Sequence, residues 1–251
     1  MKIRKAIVPA AGIGSRMFPL SRFIPKELLP FGKPLAPLIA LIMHELSDSG
    51  ISEVGIVTRQ EKRDVLEVAK SRKRGKIKIV SIEQKKPSGL VDALWMCRDF
   101  LEGEPFLLVF PDQHLTGAFP ASYQLLKAAE SEGVWSTAVR VRKEERRFFP
   151  GASGLRTHGT KPVFISEKET RVLYSKRNYE WRAFGRTIVP FEVFRFLASF
   201  RGKDSVGFTQ AFTRMTETVP HFLVRLIGRA CDLGTLQGYG NYLNKAIRDD
   251  L

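Results

Sequence analysis

Cysteine and histidine are scarce in this 251-residue chain, with two of the first and four of the second. Cys97 and Cys231 lie far apart and flank no metal-ligand spacing, which argues against a disulfide framework and fits a reducing compartment with ordinary burial. His44, His114, His158 and His221 show no paired spacing for zinc and read as surface or packing residues. No apolar run approaches the ~20 residues of a membrane span, and the opening MKIRKAIVPAAG has no long apolar core leading to a cleavage site. A cytoplasmic protein with no membrane partner is the expectation. Ser- or Gly-rich linkers, low-complexity tracts and internal repeats are also missing, so the chain reads as one domain over 1–251.

Acidic residues are in deficit. Lys and Arg total 41 against 26 Asp and Glu, giving a net charge of +15 and a pI near 10.0. Such a balance points to a phosphorylated or polyanionic partner. The basic runs Lys70 to Lys78 and Arg140 to Arg147 are not interleaved with stacking aromatics, although Phe148 and Phe149 follow the second. Both read as solvated faces, and nucleic acid is not an expected partner. The 43% hydrophobic content is that of an ordinary globular protein with a sizeable core.

Strand-like and helix-like runs alternate through the first half, the pattern of a mostly parallel sheet covered on both faces. Ala6 to Val8, Val54 to Thr58, Lys76 to Ile82 and Phe106 to Phe110 read as inner strands, with helices over Leu35 to Leu46 and Val91 to Leu101. Beyond Trp135 the pattern is mixed: strands near Ser136 to Val141, Pro162 to Ser166 and Ala183 to Val189, then further helices. The basic stretch 140–160 reads as a flexible loop. Trp95 and Trp135 read as core, with Trp181 toward a substrate loop.

The richest segment is Ala6 to Pro34, AIVPAAGIGSRMFPLSRFIPKELLPFGKP. A buried strand runs into a turn where Gly12 and Gly14 let the backbone bend and its amides approach an anion, and Arg16 and Lys26 add fixed positive charge. By themselves the glycines are equally consistent with steric need, and Lys26 after Pro25 with a helix start. Further stations follow in order: Gln84 five positions before Gly89, Pro111-Asp112 at a strand end, Ser153-Gly154-Leu155, Glu167-Lys168, and Asp232 in CDLGT. Asp112 and Asp232 could be turn residues or ligands, and Glu167-Lys168 an exposed ion pair or a substrate contact.

Taken together, PAAGIGSR, IPKELLPFGKP, AFGRTIVPFEVF and CDLGTLQGYGNYLNKAI resemble the sugar nucleotidylyltransferases over nearly the whole chain, most closely the bacterial UTP–glucose-1-phosphate uridylyltransferases. The resemblance implies an α/β, Rossmann-like (GT-A-like) fold: a mixed, mostly parallel sheet flanked by helices, with a small α+β substrate lobe. Residues 1–135 would form the nucleotide-binding half and 136–251 the sugar-binding half. Ala10, Ala11, Gly12, Gly14, Ser15 and Arg16 would line the triphosphate, Arg16 and Lys26 would act on the reacting phosphates, and Gln84 and Gly89 would meet the base. Asp112 and Asp232 would hold magnesium, and Gly154, Glu167 and Lys168 would receive the sugar and its phosphate. The partners implied are a nucleoside triphosphate and a sugar 1-phosphate; a homo-oligomer is left open.

The chain departs from the family pattern at Ser15, where Thr is usual, and at Gly32, where an aspartate is common. It also departs at Ser153, at Phe208-Thr209-Gln210 and at Tyr179 to Arg182, before the glycine of the AFGRT segment, so the resemblance does not fix the sugar. The CDLGT ending favours the uridylyltransferase branch. The alternatives are a dTTP-dependent thymidylyltransferase of the same family and a non-catalytic homologue that binds a nucleotide sugar.

Overall fold

A computed structural model of the chain describes residues 2–32, 34–149, 154–158, 161–165, 176–202 and 205–248, with backbone alone for 156–158, 161–165 and 205–206. The apolar run after the basic start forms β1 (Lys5–Pro9), the centre of a nine-stranded sheet. Four strands are parallel, in the spatial order β5 (Lys78–Glu83), β4 (Glu53–Thr58), β1 and β6 (Phe106–Val109). Successive side chains of these strands point to opposite faces, and both faces of β1, β4 and β6 are covered. Ala6, Val8, Val54, Ile56, Leu107 and Val109 pack beneath α1 (Leu38–Asp48), α2 (Arg63–Arg72) and α5 (Ala121–Ala128). On the other face Ile7, Val57, Phe106 and Leu108 meet α3 (Leu90–Trp95), α4 (Arg98–Leu101), α6 (Val193–Leu197) and α7 (Ser205–Thr218). Burial on two faces explains why β1, β4 and β6 read as continuous apolar runs; β5, expected as an inner strand, is instead an edge of the sheet, its residues partly or fully exposed.

The second half of the chain extends the same sheet. The long strand β11 (Tyr179–Val189) runs antiparallel to β6 through Arg186–Val189 and to β8 (Val134–Arg142), and β12 (His221–Arg225) joins β8 in parallel. A hairpin of β9 (Gly154–His158) and β10 (Lys161–Ile165) meets β11 at Arg182. Two small ribbons stand apart: β2 (Pro30–Phe31) with β3 (Ala36–Pro37), and β7 (Gln113–Thr116) with β13 (Arg229–Asp232). The last helix, α8 (Leu236–Ile247), is capped by the Thr235 hydroxyl, which accepts the Gly238 N–H. Among the described residues, no helix is long and apolar enough to cross a membrane.

Several local expectations are corrected. The first long helix begins at Leu38, because Ala36 and Pro37 pair with Phe31 and Pro30, and Leu35 is exposed. The Val91 to Leu101 helix bends at Met96 and Cys97 into α3 and α4, each burying its own apolar residues against the sheet. The stretch 140–160 is not one loop: β8 continues to Arg142, a 3-10 turn spans Lys143–Phe148, and Phe149 is buried. Trp135 belongs to the core as expected. Trp95 is half-buried at its edge, against Phe194 and with the Arg98 and Arg201 guanidinium groups over its ring.

Candidate active site

Beyond Pro9 the chain leaves the sheet through Ala10 to Gly14. Ala10 is fully buried, its N–H donating to the Val57 carbonyl (2.8 Å) and its own carbonyl accepting from Lys62 Nζ (2.9 Å). Lys62 also donates to Glu27 Oε2 (2.8 Å), so one buried ammonium ties the loop to the segment that carries Lys26. Gly14 is left-handed (φ 74°), a conformation that strains any residue with a Cβ, and its carbonyl accepts from Ser21 Oγ and the Met17 N–H. Ser15–Met17 then form a 3-10 turn anchored by the buried Met17, which leaves the Arg16 side chain 54% exposed at the rim. No atom lies within 4 Å of where a Cβ on Gly12 would stand, so the backbone there faces open space.

Lys26 follows Pro25 and opens the 3-10 turn Lys26–Leu28. The turn does not turn its side chain to solvent: Nζ donates to Asp112 Oδ2 at 2.5 Å, and Arg16 Nη2 lies 4.0 Å from the same oxygen. Asp112 follows β6, and its backbone carbonyl accepts the Leu233 N–H at 2.7 Å. The β7–β13 ladder sets Gln113 opposite Asp232. Asp232 Oδ1 accepts from the Gly234 N–H (3.0 Å) and Oδ2 from Gln113 Nε2 (3.4 Å). The two carboxylates converge over Gly234, where a Cβ would lie 2.5 Å from Asp112 Oδ2 and 3.2 Å from Asp232 Oδ1.

The charges are arranged unequally. Burial works against the Asp112 anion, but Lys26 and then Arg16 outweigh it and hold its pKa below the ordinary value. Burial also works against the Lys26 ammonium, and Asp112 and Glu27 outweigh it, so Lys26 stays a cation. Asp232 has burial and the neighbouring Asp112 charge against it, and its pKa is pushed up to about 6. The Arg16 charge and the hydrogen bonds from Gly234 and Gln113 favour its anion but do not outweigh those two effects.

The cleft above these groups has a volume of about 800 Å³ and lies at the carboxyl ends of β1, β5 and β6. Ala11, Gly12, Gly14, Ser15, Arg16, Lys26, Gln84, Gly89, Asp112 and Asp232 all line it. Gln84 is buried just past β5 and donates its amide to the Gly89 carbonyl (3.0 Å), and Pro87 and Leu90 stand beside them. Ala10 does not line the cleft, because its backbone groups are committed inside the protein. Gly154 does not line it either; it pairs with Arg182 at the side of the sheet. Glu167 and Lys168 lie outside the described residues. Trp181 is half-buried under the Arg225 guanidinium (5.2 Å) and is not among the lining residues.

Lining residues that the sequence reading passed over include Phe110, Gln113, Thr187, Phe212 and Gly234, and Phe208 and Thr209, noted there as departures from the family pattern, also line the cleft. Gln113 and Gly234 adjoin or nearly adjoin the two aspartates in PDQ and DLG, a signal present but silent without the ladder that joins them.

An open α/β sheet with its glycine turn and cleft at the carboxyl ends of the strands is a Rossmann-like nucleotide-binding architecture. The family profile described as nucleotidyl transferase matches residues 5–149, and the chain belongs to that family. It is 27% identical over 267 residues to the UTP–glucose-1-phosphate uridylyltransferase of Bacillus subtilis (strain 168), covering 95% of this chain and 89% of that protein. In fold it is similar to UTP-bound UGPase from Acinetobacter baumannii, with a TM-score of 0.75 at 18% identity over 98% of this chain and 93% of that one. It is similarly close to the inositol-1-phosphate CTP transferase from T. maritima, with a TM-score of 0.72 at 19% identity over 97% and 95% of the two chains. The fold therefore carries more than one nucleotide and acceptor.

Proposed function

We propose that this protein transfers a nucleotidyl group from a nucleoside triphosphate, UTP by preference, to a sugar 1-phosphate, glucose 1-phosphate by preference, releasing pyrophosphate. The observation that carries the reading is the convergence of Asp112 and Asp232 below a glycine turn, with Lys26 bonded to one of them. The acceptor phosphate is largely ionised at neutral pH, so its oxygen attacks the α-phosphorus and the bond to pyrophosphate breaks without a strong base. That matches the chemistry on hand: Lys26 is held protonated and Asp112 ionised, so neither is poised to move a proton. Their work is charge and alignment. Phosphate oxygens would compete with Asp112 for the Lys26 ammonium and would meet the Arg16 guanidinium at the rim.

Two carboxylates with hard oxygens, one of them destabilised as an anion by burial and by the other, fit a magnesium ion, which commonly takes one or two carboxylates plus phosphates and water. Among the described residues no cluster of three or more His, Cys, Asp or Glu competes as a softer metal site. Asp112 and Asp232 would hold the ion, whose charge offsets the repulsion between the two phosphorylated substrates. The uridine preference rests on the relative matched across 95% of this chain, and Gln84 and Gly89 would read the base edge. Thymine presents the same imide edge, so the ribose 2′-hydroxyl and thymine methyl decide between UTP and dTTP.

Pyrophosphate release measured with magnesium across the common triphosphates and sugar 1-phosphates tests the reading, with UTP and glucose 1-phosphate expected to turn over fastest. Folded protein that turns over no pair would refute it, and tight nucleotide-sugar binding without turnover would identify a binding homologue instead. Full activity in Lys26→Ala or Asp112→Asn would refute the residue roles.

A further inference from the structure

Arg186 is fully buried on β11, between the cleft-lining Gly185 and Thr187, and its guanidinium lies between α1 and the turn after β6. Nε and Nη2 hold the two oxygens of Glu45 on α1 at 2.7 and 2.8 Å. The remaining N–H groups go to carbonyls: Nη1 to Phe110 (3.0 Å) and Gly185 (2.9 Å), and Nη2 to Gln113 (3.0 Å). Phe110 and Gln113 bracket Pro111-Asp112, so one rigid cation grips the turn that carries Asp112 at both ends. The Gln113 side chain completes the link, accepting the Gly185 N–H at 2.6 Å and donating to Asp232 Oδ2 at 3.4 Å. Glu45 is oriented from its far side by the Ser122 N–H (3.0 Å) and hydroxyl.

We infer that Arg186 is a positioning residue that sets the spacing of the Asp112 and Asp232 carboxylates, and that Glu45 serves to aim it. The inference rests on the metal-holding role proposed for that pair. Only a planar five-donor group can hold a carboxylate bidentately and three carbonyls at once, so lysine keeps the charge and loses the grip. A buried ion pair is a weak stability device but fixes geometry when every lone pair and proton is used.

The variant Arg186→Lys tests this, with Ser122→Ala as a control that removes one hydroxyl bond to Glu45 and keeps the backbone N–H at that position, the Arg186–Glu45 pair and the Asp112 turn in place. Mn2+ binding to the nucleotide-free protein, followed by electron paramagnetic resonance, is expected to weaken at least tenfold in Arg186→Lys. Its kcat should fall at least thirtyfold while KM for UTP stays within threefold, because the glycine turn is untouched. Ser122→Ala should keep Mn2+ affinity and kcat within twofold despite a lower Tm. Should Arg186→Lys fail to fold, the neutral pair Glu45→Gln/Arg186→Gln leaves no unpaired buried charge and still cannot span the three carbonyls; the same losses are expected. Unchanged Mn2+ affinity in these variants, or equal losses in Ser122→Ala, overturns the inference. Asp112→Asn separates the two claims: if it retains Mn2+ binding the metal reading itself fails, and if it alone loses binding only the role of Arg186 falls.

Discussion

Replacing Gly234 by alanine adds one methyl group at the point where the two carboxylates meet. Its Cβ would stand 2.5 Å from Asp112 Oδ2 and 3.2 Å from Asp232 Oδ1, where ordinary contact begins at 3.4 Å. Asp112 Oδ2 must retreat by nearly an ångström, and the same oxygen holds Lys26 Nζ at 2.5 Å. A misplacement of ~1 Å at reacting groups costs about a hundredfold in rate. Gly234 is not in the left-handed region, so the backbone accepts alanine without strain, and the loss of unfolded-state freedom would stabilise by ~0.4–1 kcal/mol. Part of that gain is spent in moving the carboxylate, and Tm should change little. The expected result in a pyrophosphate-release assay is therefore a fall of about a hundredfold in kcat/KM from a protein of near-native Tm. Gly240→Ala is the matched control: no atom lies within 4 Å of its Cβ site, so it should gain ~0.5–1 kcal/mol with unchanged kinetics. If Gly234→Ala keeps its activity within about threefold of the parent, the spacing of Asp112 and Asp232 does not govern the chemistry and the reasoning fails.

Further outcomes follow from buried groups. Burial would raise the Glu45 pKa, but Arg186 and Ser122 hold it at about 2 against an ordinary 4.5. A depressed carboxylate contributes its stability above the unfolded pKa, so ~3 kcal/mol should be lost as pH falls from about 5 toward 2. Urea unfolding across that range should show the loss, and Glu45→Gln should flatten it; an identical slope in the variant refutes the assignment. Lys62→Met leaves Glu27 buried without its cation, which should cost ~3–5 kcal/mol. Chemical denaturation of Lys62→Met/Glu27→Leu should recover most of that cost, and no recovery would show that charge burial is not its source. Burial pushes the Cys97 thiol up to about 12 and the Cys231 thiol to about 11. Neither should react with a disulfide reagent at pH 8 in the native protein, and both should react in denaturant.

Where local chemistry writes the structure, the sequence reads clearly. Continuous apolar runs mark β1, β4 and β6 because both of their faces are covered, and the strand-to-turn passage at Pro9 to Gly14 follows from residues that are neighbours in the chain. Asp112 and Asp232 were readable as single residues at strand ends. Their meeting was not, because it depends on a ladder between β7 and β13 that no periodicity announces. Glu45 lies within α1, where nothing in its neighbours marks it, since its partner Arg186 is 141 positions away. The break between α3 and α4 was hidden for a different reason: Leu94, Cys97 and Leu101 are buried as one continuous stripe, so apolar spacing runs through the bend. Ala10 shows the opposite error, where adjacency to the glycine turn suggested exposure to ligand and tertiary hydrogen bonds had already claimed its backbone.

The β7–β13 ribbon also makes the order of synthesis matter. The glycine turn, Lys26 and Asp112 leave the ribosome in the first half of the chain, and a nascent protein folds from that end. Asp232 arrives about a hundred residues later, on a strand that pairs with residues 113–116. A nascent chain could thus shelter a triphosphate well before it could consume one. Under the proposed function catalysis would switch on in a late step, when β13 zips onto β7, so activity would report that residues 229–232 have docked on the folded core.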